Sequence, residues 1–193
     1  GKNIESTLIE LLLDSYIGYA DSKVAFSQLP IILKKITNKD YGNFQIARAP
    51  YRRLLSSNCG AIDKFSQGEL DLIVTITSIM ERQLYIYNSY GFSNKYSNFL
   101  EVPGIVIIDE VDLHLHPKAQ ETYLKILTET FENIQFIITT HSPFVIRGLP
   151  ENSIVVQLPT ANIIDKDFST MDIDSISSHI FNLSGRFKKD IES

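Results

Sequence analysis

Two adjacent carboxylates, Asp109 and Glu110, directly follow the run Ile105-Val106-Ile107-Ile108. A continuous apolar, β-branched run of this kind reads as a strand buried on both faces. In open α/β sheets, ligands bind at the carboxyl ends of the strands. The strand therefore delivers both carboxylates to a place where a nucleotide can sit. One of them can hold Mg²⁺, which favours few carboxylates plus phosphate oxygens. The next can polarise a water for attack on a γ-phosphate. A bare Asp-Glu pair is also what a charged strand end looks like; the four apolar residues ahead of it favour chemistry.

A second candidate is Thr140-His141-Ser142-Pro143, which follows the apolar run 135–139. It falls on the same sheet edge as Asp109 and Glu110. A histidine there can reach a γ-phosphate or the attacking water, and its protonation is tunable near neutrality. By itself, His141 reads as a loop residue at a strand end. The third candidate is Phe65-Ser66-Gln67-Gly68-Glu69, ahead of a helical pattern. Ser66 and Glu69 have capping-box spacing, and a helix N-terminus with a free glycine also offers backbone donors to phosphate. His114 and His116 alternate around Leu115, and Asp112 could add an oxygen. With no third nitrogen or sulfur ligand nearby, His116-Pro117 reads as the end of a turn into a helix.

These residues need elements to hold them. Residues 4–19 carry Leu8, Ile9, Leu12, Leu13 and Tyr16 at helical spacing. A second helix is expected to begin at Pro30, with Ile32, Leu33 and Ile36 inward. Residues 41–63 have no clear period and carry, with Lys64, the basic cluster Arg48, Arg52 and Arg53. That cluster reads as a solvated face, or as a phosphate contact with nucleotide or nucleic acid; Arg147 and the cluster are also candidates for nucleic-acid or partner contact. Residues 70–87 read as a helix with Leu72, Ile73, Ile76, Ile79, Met80 and Leu84 on its apolar face. Residues 88–98, rich in Asn, Ser and Tyr, read as an exposed loop.

Pro117 suits a first helical position, and residues 117–131 turn Ala119, Tyr123, Ile126, Leu127 and Phe131 inward. Strand, helix and strand over residues 105–139 make a βαβ unit, so the two strands should be parallel with a right-handed crossover. Residues 154–156 read as a further strand, and 173–181 as a short helix.

The chain has 193 residues, 44% hydrophobic and 21% charged, enough for a packed domain or one lobe of something larger. A net charge of -5 argues against a broadly basic nucleic-acid surface. The single cysteine, Cys59, rules out a disulfide framework within the chain and suits a reducing, cytoplasmic compartment. No apolar run approaches the roughly 20 residues needed to cross a bilayer, so no membrane partner is expected.

Taken in order, Ser66-Gln67-Gly68-Glu69, Ile105-Val106-Ile107-Ile108-Asp109-Glu110, Asp112-Leu113-His114-Leu115-His116-Pro117 and Thr139-Thr140-His141-Ser142-Pro143 resemble an ABC-type ATPase. They correspond to its signature motif, Walker B strand, D-loop and switch histidine. The wording of the last three resembles the narrower group of OLD-like ATPases of bacterial defence systems, including the Septu ATPases and their retron-associated relatives. The resemblance runs from Lys64 to Leu158. It implies an α/β fold, the C-terminal part of an ABC-type P-loop ATPase head. A parallel βαβ core at 65–158 would sit between a helical region at 1–64 and an extension with a short helix at 159–193.

It further implies an ATPase that uses ATP and Mg²⁺ and closes head to tail as a homodimer or higher oligomer. Asp109 would help hold Mg²⁺, Glu110 would be the general base, and His141 would sense the γ-phosphate. Ser66, Gln67 and Gly68 would belong to the nucleotide-binding signature, with Ser66 and Gly68 on the γ-phosphate held by the opposite subunit. Asp112 would lie at the dimer seam. The implied function is an anti-phage defence subunit that regulates an HNH-type nuclease partner or an attached C-terminal nuclease domain.

One departure stands out. Such ATPases bind phosphate with a Gly-x-x-x-x-Gly-Lys-Ser/Thr loop, and these 193 residues contain none. Gly1-Lys2-Asn3 is followed by neither Ser nor Thr and stands too close to the signature. The expectation is a C-terminal head segment whose phosphate loop lies upstream. Two further readings stay open: an SMC-like chromosome-maintenance or repair head, and a non-catalytic scaffold that docks a complete ATPase.

Overall fold

The structure is a computed structural model that describes residues 8–9, 20–47, 53–164 and 166–181. The helix expected over residues 4–19 lies outside the described residues, apart from helical Leu8 and Ile9. Helix α1 spans Ala20–Thr37. It runs straight through Pro30, where a helix start was expected. Its apolar face explains why: Ala25, Leu29, Ile32, Leu33 and Ile36 are all buried on one continuous stripe. Burial of that stripe outweighs the backbone hydrogen bond that proline removes, a cost of about 3 kcal/mol.

The aperiodic stretch after α1 holds strands, which corrects the helical reading of residues 1–64. Strands β1 (Phe44–Ala47), β2 (Arg53–Ser56) and β3 (Gly60–Ala61) form an antiparallel sheet in the order β1-β2-β3. The strands are too short for an alternation to stand out in the sequence. A 3₁₀ turn, Ile62–Lys64, leads into α2 (Gln67–Ser89). The residues expected inward on α2 are buried, Ile73 and Ile76 completely so. The loop after α2 is largely exposed, with short 3₁₀ turns at Phe92–Asn94 and Phe99–Glu101.

Strand β4 (Gly104–Ile108), helix α3 (Pro117–Thr130) and strand β5 (Ile134–Ile138) form the expected βαβ unit. The strands are parallel and paired from Gly104 with Ile134 to Ile108 with Ile138. Val106, Ile108, Phe136 and Ile138 pack on the main core with Leu72, Ile76, Tyr123 and Leu127. The opposite face is open. Ile105, Ile107 and Ile137 are 64%, 75% and 48% exposed. The strands are thus not buried on both faces, because the described residues put cover on one side only. An apolar parallel strand is built for cover on both.

Helix α4 (Pro143–Arg147) packs on α3. Here a Cβ on Gly148 would lie 1.9 Å from the carbonyl oxygen of Glu121, so only glycine permits the approach. Strands β6 (Val155–Gln157) and β7 (Asn162–Ile164) pair as an antiparallel hairpin, the second strand unanticipated. Helix α5 (Ile173–Ile180) closes a smaller apolar cluster of Ile146, Val155, Phe168, Ile176 and Ile180. Among the described residues, no helix is long and apolar enough to cross a membrane.

Candidate functional site

Strand β4 delivers Asp109 and Glu110, both exposed, to its carboxyl end. The end of β5 holds them there. The Thr139 hydroxyl donates to Asp109 Oδ1, and Thr139 Oγ1 accepts from the Glu110 N–H at 2.8 Å. Glu110 takes the left-handed conformation, φ 49°. For a residue with a Cβ that costs about 1 kcal/mol, and the Thr139 hydrogen bond helps offset it. The kink turns the chain out of the strand at the second carboxylate. Asp109 and Glu110 line a cavity of about 310 Å³ with Asp71, Thr75, His114 and Tyr123.

The segment after β5 is joined to the same edge. Asp112 is only partly exposed, and its carboxylate accepts from the Thr140 hydroxyl and from the His141 N–H at 3.3 Å. Thr140 Oγ1 in turn accepts from the Ser142 N–H at 3.0 Å, and Ser142 caps α4. The His141 side chain is exposed. Asp109, Glu110, Asp112 and His141 are therefore one constellation, spanning two strand ends.

Ser66, Gln67 and Gly68 open α2. Ser66 caps the helix, and Glu69 completes the capping box with the Ser66 N–H at 2.8 Å. Glu69 is also gripped by Lys39 Nζ at 2.6 Å and the Tyr41 hydroxyl at 2.8 Å. Burial acts to raise the Glu69 pKa, but hydrogen bonds from Lys39, Ser66 and Tyr41 outweigh it and hold it down to about 2. Burial likewise pushes Tyr41 upward. The hydrogen bond to Glu69 raises Lys39. Ser66 and Gly68 line a separate cavity of about 440 Å³ with Lys39, His114, His116 and Lys118.

The remaining candidates are engaged within the chain. His116 caps α3, accepting from the Lys118 N–H at 3.3 Å. Among the described residues, no group of three or more His, Cys, Asp or Glu is placed to hold a metal ion. A single carboxylate at a strand end, open to solvent, suits Mg²⁺ carried in with phosphate oxygens. Arg147 pairs with Glu121 and stacks over Phe144. Arg53 lies 3.8 Å from Asp63, while Arg48 and Arg52 fall outside the described residues.

Sequence reasoning passed over Asp71 and Gln120, and it left Thr139 without a role. Gln120 carried a signal, since it is a polar residue beside Ala119 on the inward stripe of α3.

This α/β unit carries acidic residues at one parallel strand end and a histidine at the next. Residues 62–147 match a protein family described as "AAA domain, putative AbiEii toxin, Type IV TA system". The chain is 36% identical over 158 residues to a protein named "Retron Vc95 probable ATPase" from Vibrio cholerae serotype O1 biovar El Tor, covering 78% of this chain and 30% of that one. It is 38% identical over 116 residues to "Retron Ec83 probable ATPase" from Escherichia coli, covering 59% and 20%. It is 36% identical over 97 residues to "Septu protein PtuA" from Bacillus mycoides, covering 50% and 12%.

The chain is a homologue of these proteins, named retron probable ATPases and Septu PtuA, the group its motifs resemble. It spans less than a third of the length of these relatives. A solved structure from work on ATP-driven dimerization and DNA-stimulated activation of SMC ATPases superposes with a TM-score of 0.46 at 13% identity, over 76% of this chain and 86% of that one. That likeness is too loose to bear on function.

Proposed function

We propose that this chain is the Walker B, D-loop and switch part of an ATP-hydrolysing subunit in an anti-phage defence complex. The observation that carries the reading is the joint placement of Asp109, Glu110 and His141 at the ends of two paired parallel strands, tied together by Thr139, Thr140 and Asp112. The homologues' names support the ATPase class.

In this reading Asp109 would hold Mg²⁺, which would supply charge neutralisation for the phosphates. Thr139, donating to Asp109, would orient that carboxylate. Glu110 orients and deprotonates the attacking water, and the exposed His141 meets the γ-phosphate. The phosphate loop comes from a segment outside these 193 residues. The open face of β4 and β5 supports that arrangement, because Ile105, Ile107 and Ile137 form an apolar surface awaiting cover.

The subunit closes head to tail, with Ser66 and Gly68 of one copy facing the nucleotide of the other. Closure regulates a nuclease, either an HNH-type partner or an attached domain. Phosphate release by the full-length protein tests the class. Turnover should need Mg²⁺ and stop on chelation; no turnover with Mg²⁺ and ATP, with and without a nuclease partner, would remove the ATPase reading.

A further inference from the structure

Residues 111–116 form the wall between the two cavities, and His114 and Leu115 line both. This loop is fastened on each side by residues that the functional reading leaves without a role. On the β5 side Gln120 fastens the loop alongside Asp112, whose carboxylate accepts from the Thr140 hydroxyl and the His141 N–H. Gln120 Nε2 donates to the main-chain oxygens of Asp112 at 3.1 Å and Leu115 at 2.8 Å, while its Oε1 accepts from the Ser142 hydroxyl at 2.6 Å. Both donors and the acceptor are used, and the amide fits one way round only, since two carbonyls must face nitrogen.

On the α2 side the fastener is His114 with Asp71. The ring Nδ1 lies 2.9 Å from Asp71 Oδ2, and Asp71 Oδ1 accepts from Gln67 Nε2 at 2.8 Å. His114 stands in the left-handed conformation, φ 62°. That turn presses its carbonyl onto α2 at Gly68, the one nearby residue with no side chain to obstruct it.

We propose that Gln120 and the His114–Asp71 pair are positioning residues that make the loop a rigid link between the His141 segment and the Ser66–Gly68 helix start. The inference rests on the ATPase reading for its purpose, since it gives γ-phosphate sensing at His141 a mechanical route to the signature. The link itself is a property of this chain. The side chains of His114 and Asp71 are 47% and 41% exposed. A polar contact that exposed contributes little stability, so it sets position more than it holds the fold together.

The deciding experiment is hydrogen exchange on the full-length protein, comparing wild type with Gln120→Leu, His114→Ala and His114→Asn. Asparagine tolerates the left-handed conformation and can still donate to Asp71. Gln120→Leu should speed exchange in residues 111–116 and also at the first turn of α2, on the far side of the loop. His114→Ala should do the same at α2, and His114→Asn should restore protection. Unchanged exchange at the α2 start in Gln120→Leu would overturn the link, whether or not the protein hydrolyses ATP.

Turnover supplies the second readout. Gln120→Leu and His114→Ala should each lower kcat between about twofold and thirtyfold with KM for ATP held, His114→Asn should stay near the wild-type rate, and Gln120→Leu combined with His114→Ala should lose little more than either one. Independent, multiplying losses would contradict a link in series. Absence of turnover in the wild type counts against the ATPase reading and leaves the exchange result to decide the link.

Discussion

A Cβ built on Gly68 would stand 2.3 Å from the carbonyl oxygen of His114. The glycine of the Ser66-Gln67-Gly68-Glu69 motif is therefore required by contact within the chain, before any nucleotide is considered. The carbonyl it meets belongs to backbone and cannot swing aside. In an open helix, glycine to alanine stabilises by about 1 kcal/mol. Here Gly68→Ala should instead destabilise by about 1–3 kcal/mol, as overpacking does, and should displace residues 111–116. Chemical denaturation checks it; a stabilised variant would show that the loop yields freely.

Glu69 titrates near its ordinary 4.5 when unfolded and near 2 when folded. The unfolded chain therefore takes up the proton first as pH falls. The stability that Glu69 contributes is complete above about 4.5 and drains away as pH drops toward 2. Glu69→Gln keeps an amide able to complete the capping box but loses the negative charge that faces Lys39. Its stability should be lower at neutral pH by about 2 kcal/mol and should fall less between pH 4.5 and pH 2 than that of wild type. Parallel curves for the two proteins would contradict the assignment.

Ile107 distinguishes an open sheet face from a covered one. At 75% exposure it should be nearly neutral to truncation in the chain as described. If a phosphate-loop segment covers this face, Ile107→Ala in the full-length protein should cost about 2–5 kcal/mol, the loss typical of a core isoleucine. A change within about 0.5 kcal/mol, usual for surface positions, would leave the face uncovered in the whole protein.

Ser66 is exposed at the start of α2. Ser66→Arg adds bulk and charge at the proposed seam between copies, and it also removes the cap, worth about 1 kcal/mol. Ser66→Ala removes the cap and the hydroxyl proposed to face the nucleotide of the other copy, without adding bulk or charge. Turnover should be abolished in Ser66→Arg and lowered to a smaller extent in Ser66→Ala. Wild-type turnover in Ser66→Arg would refute the seam.

The βαβ unit was legible because its signals are local: an apolar β-branched run, Pro117 at a helix start, and the 3.6-residue stripe through Tyr123 and Leu127. The Ser66–Glu69 capping box was legible for the same reason. Helix α1 was misread at Pro30 because tertiary burial of Leu29, Leu33 and Ile36 overrides a local breaker. Strands β1 to β3 went unseen because their order comes from pairing, such as Leu54 with Ile46, and not from pattern. Cover over Ile105 and Ile107 was inferred from composition, which records what a strand is built for and not what lies against it.

At the site, residue types pointed to Asp109, Glu110 and His141. The partners Thr139, Gln120 and Asp71 come from other elements, brought close only by the fold. Asp112 shows the difference most clearly. Residue type and spacing pointed to it, but not to the partners that hold its carboxylate, the Thr140 hydroxyl and the His141 N–H of its own chain.

The central claim is that Glu110 activates the water that attacks ATP. Steady-state ATP hydrolysis and ATP binding, measured on full-length wild type and Glu110→Gln, test it most directly. Glutamine keeps the shape and the Thr139 contact to the backbone N–H but is a poor base. ATP binding should be retained in Glu110→Gln, with turnover reduced by about a hundredfold or more. Turnover at the wild-type rate would contradict that role for Glu110.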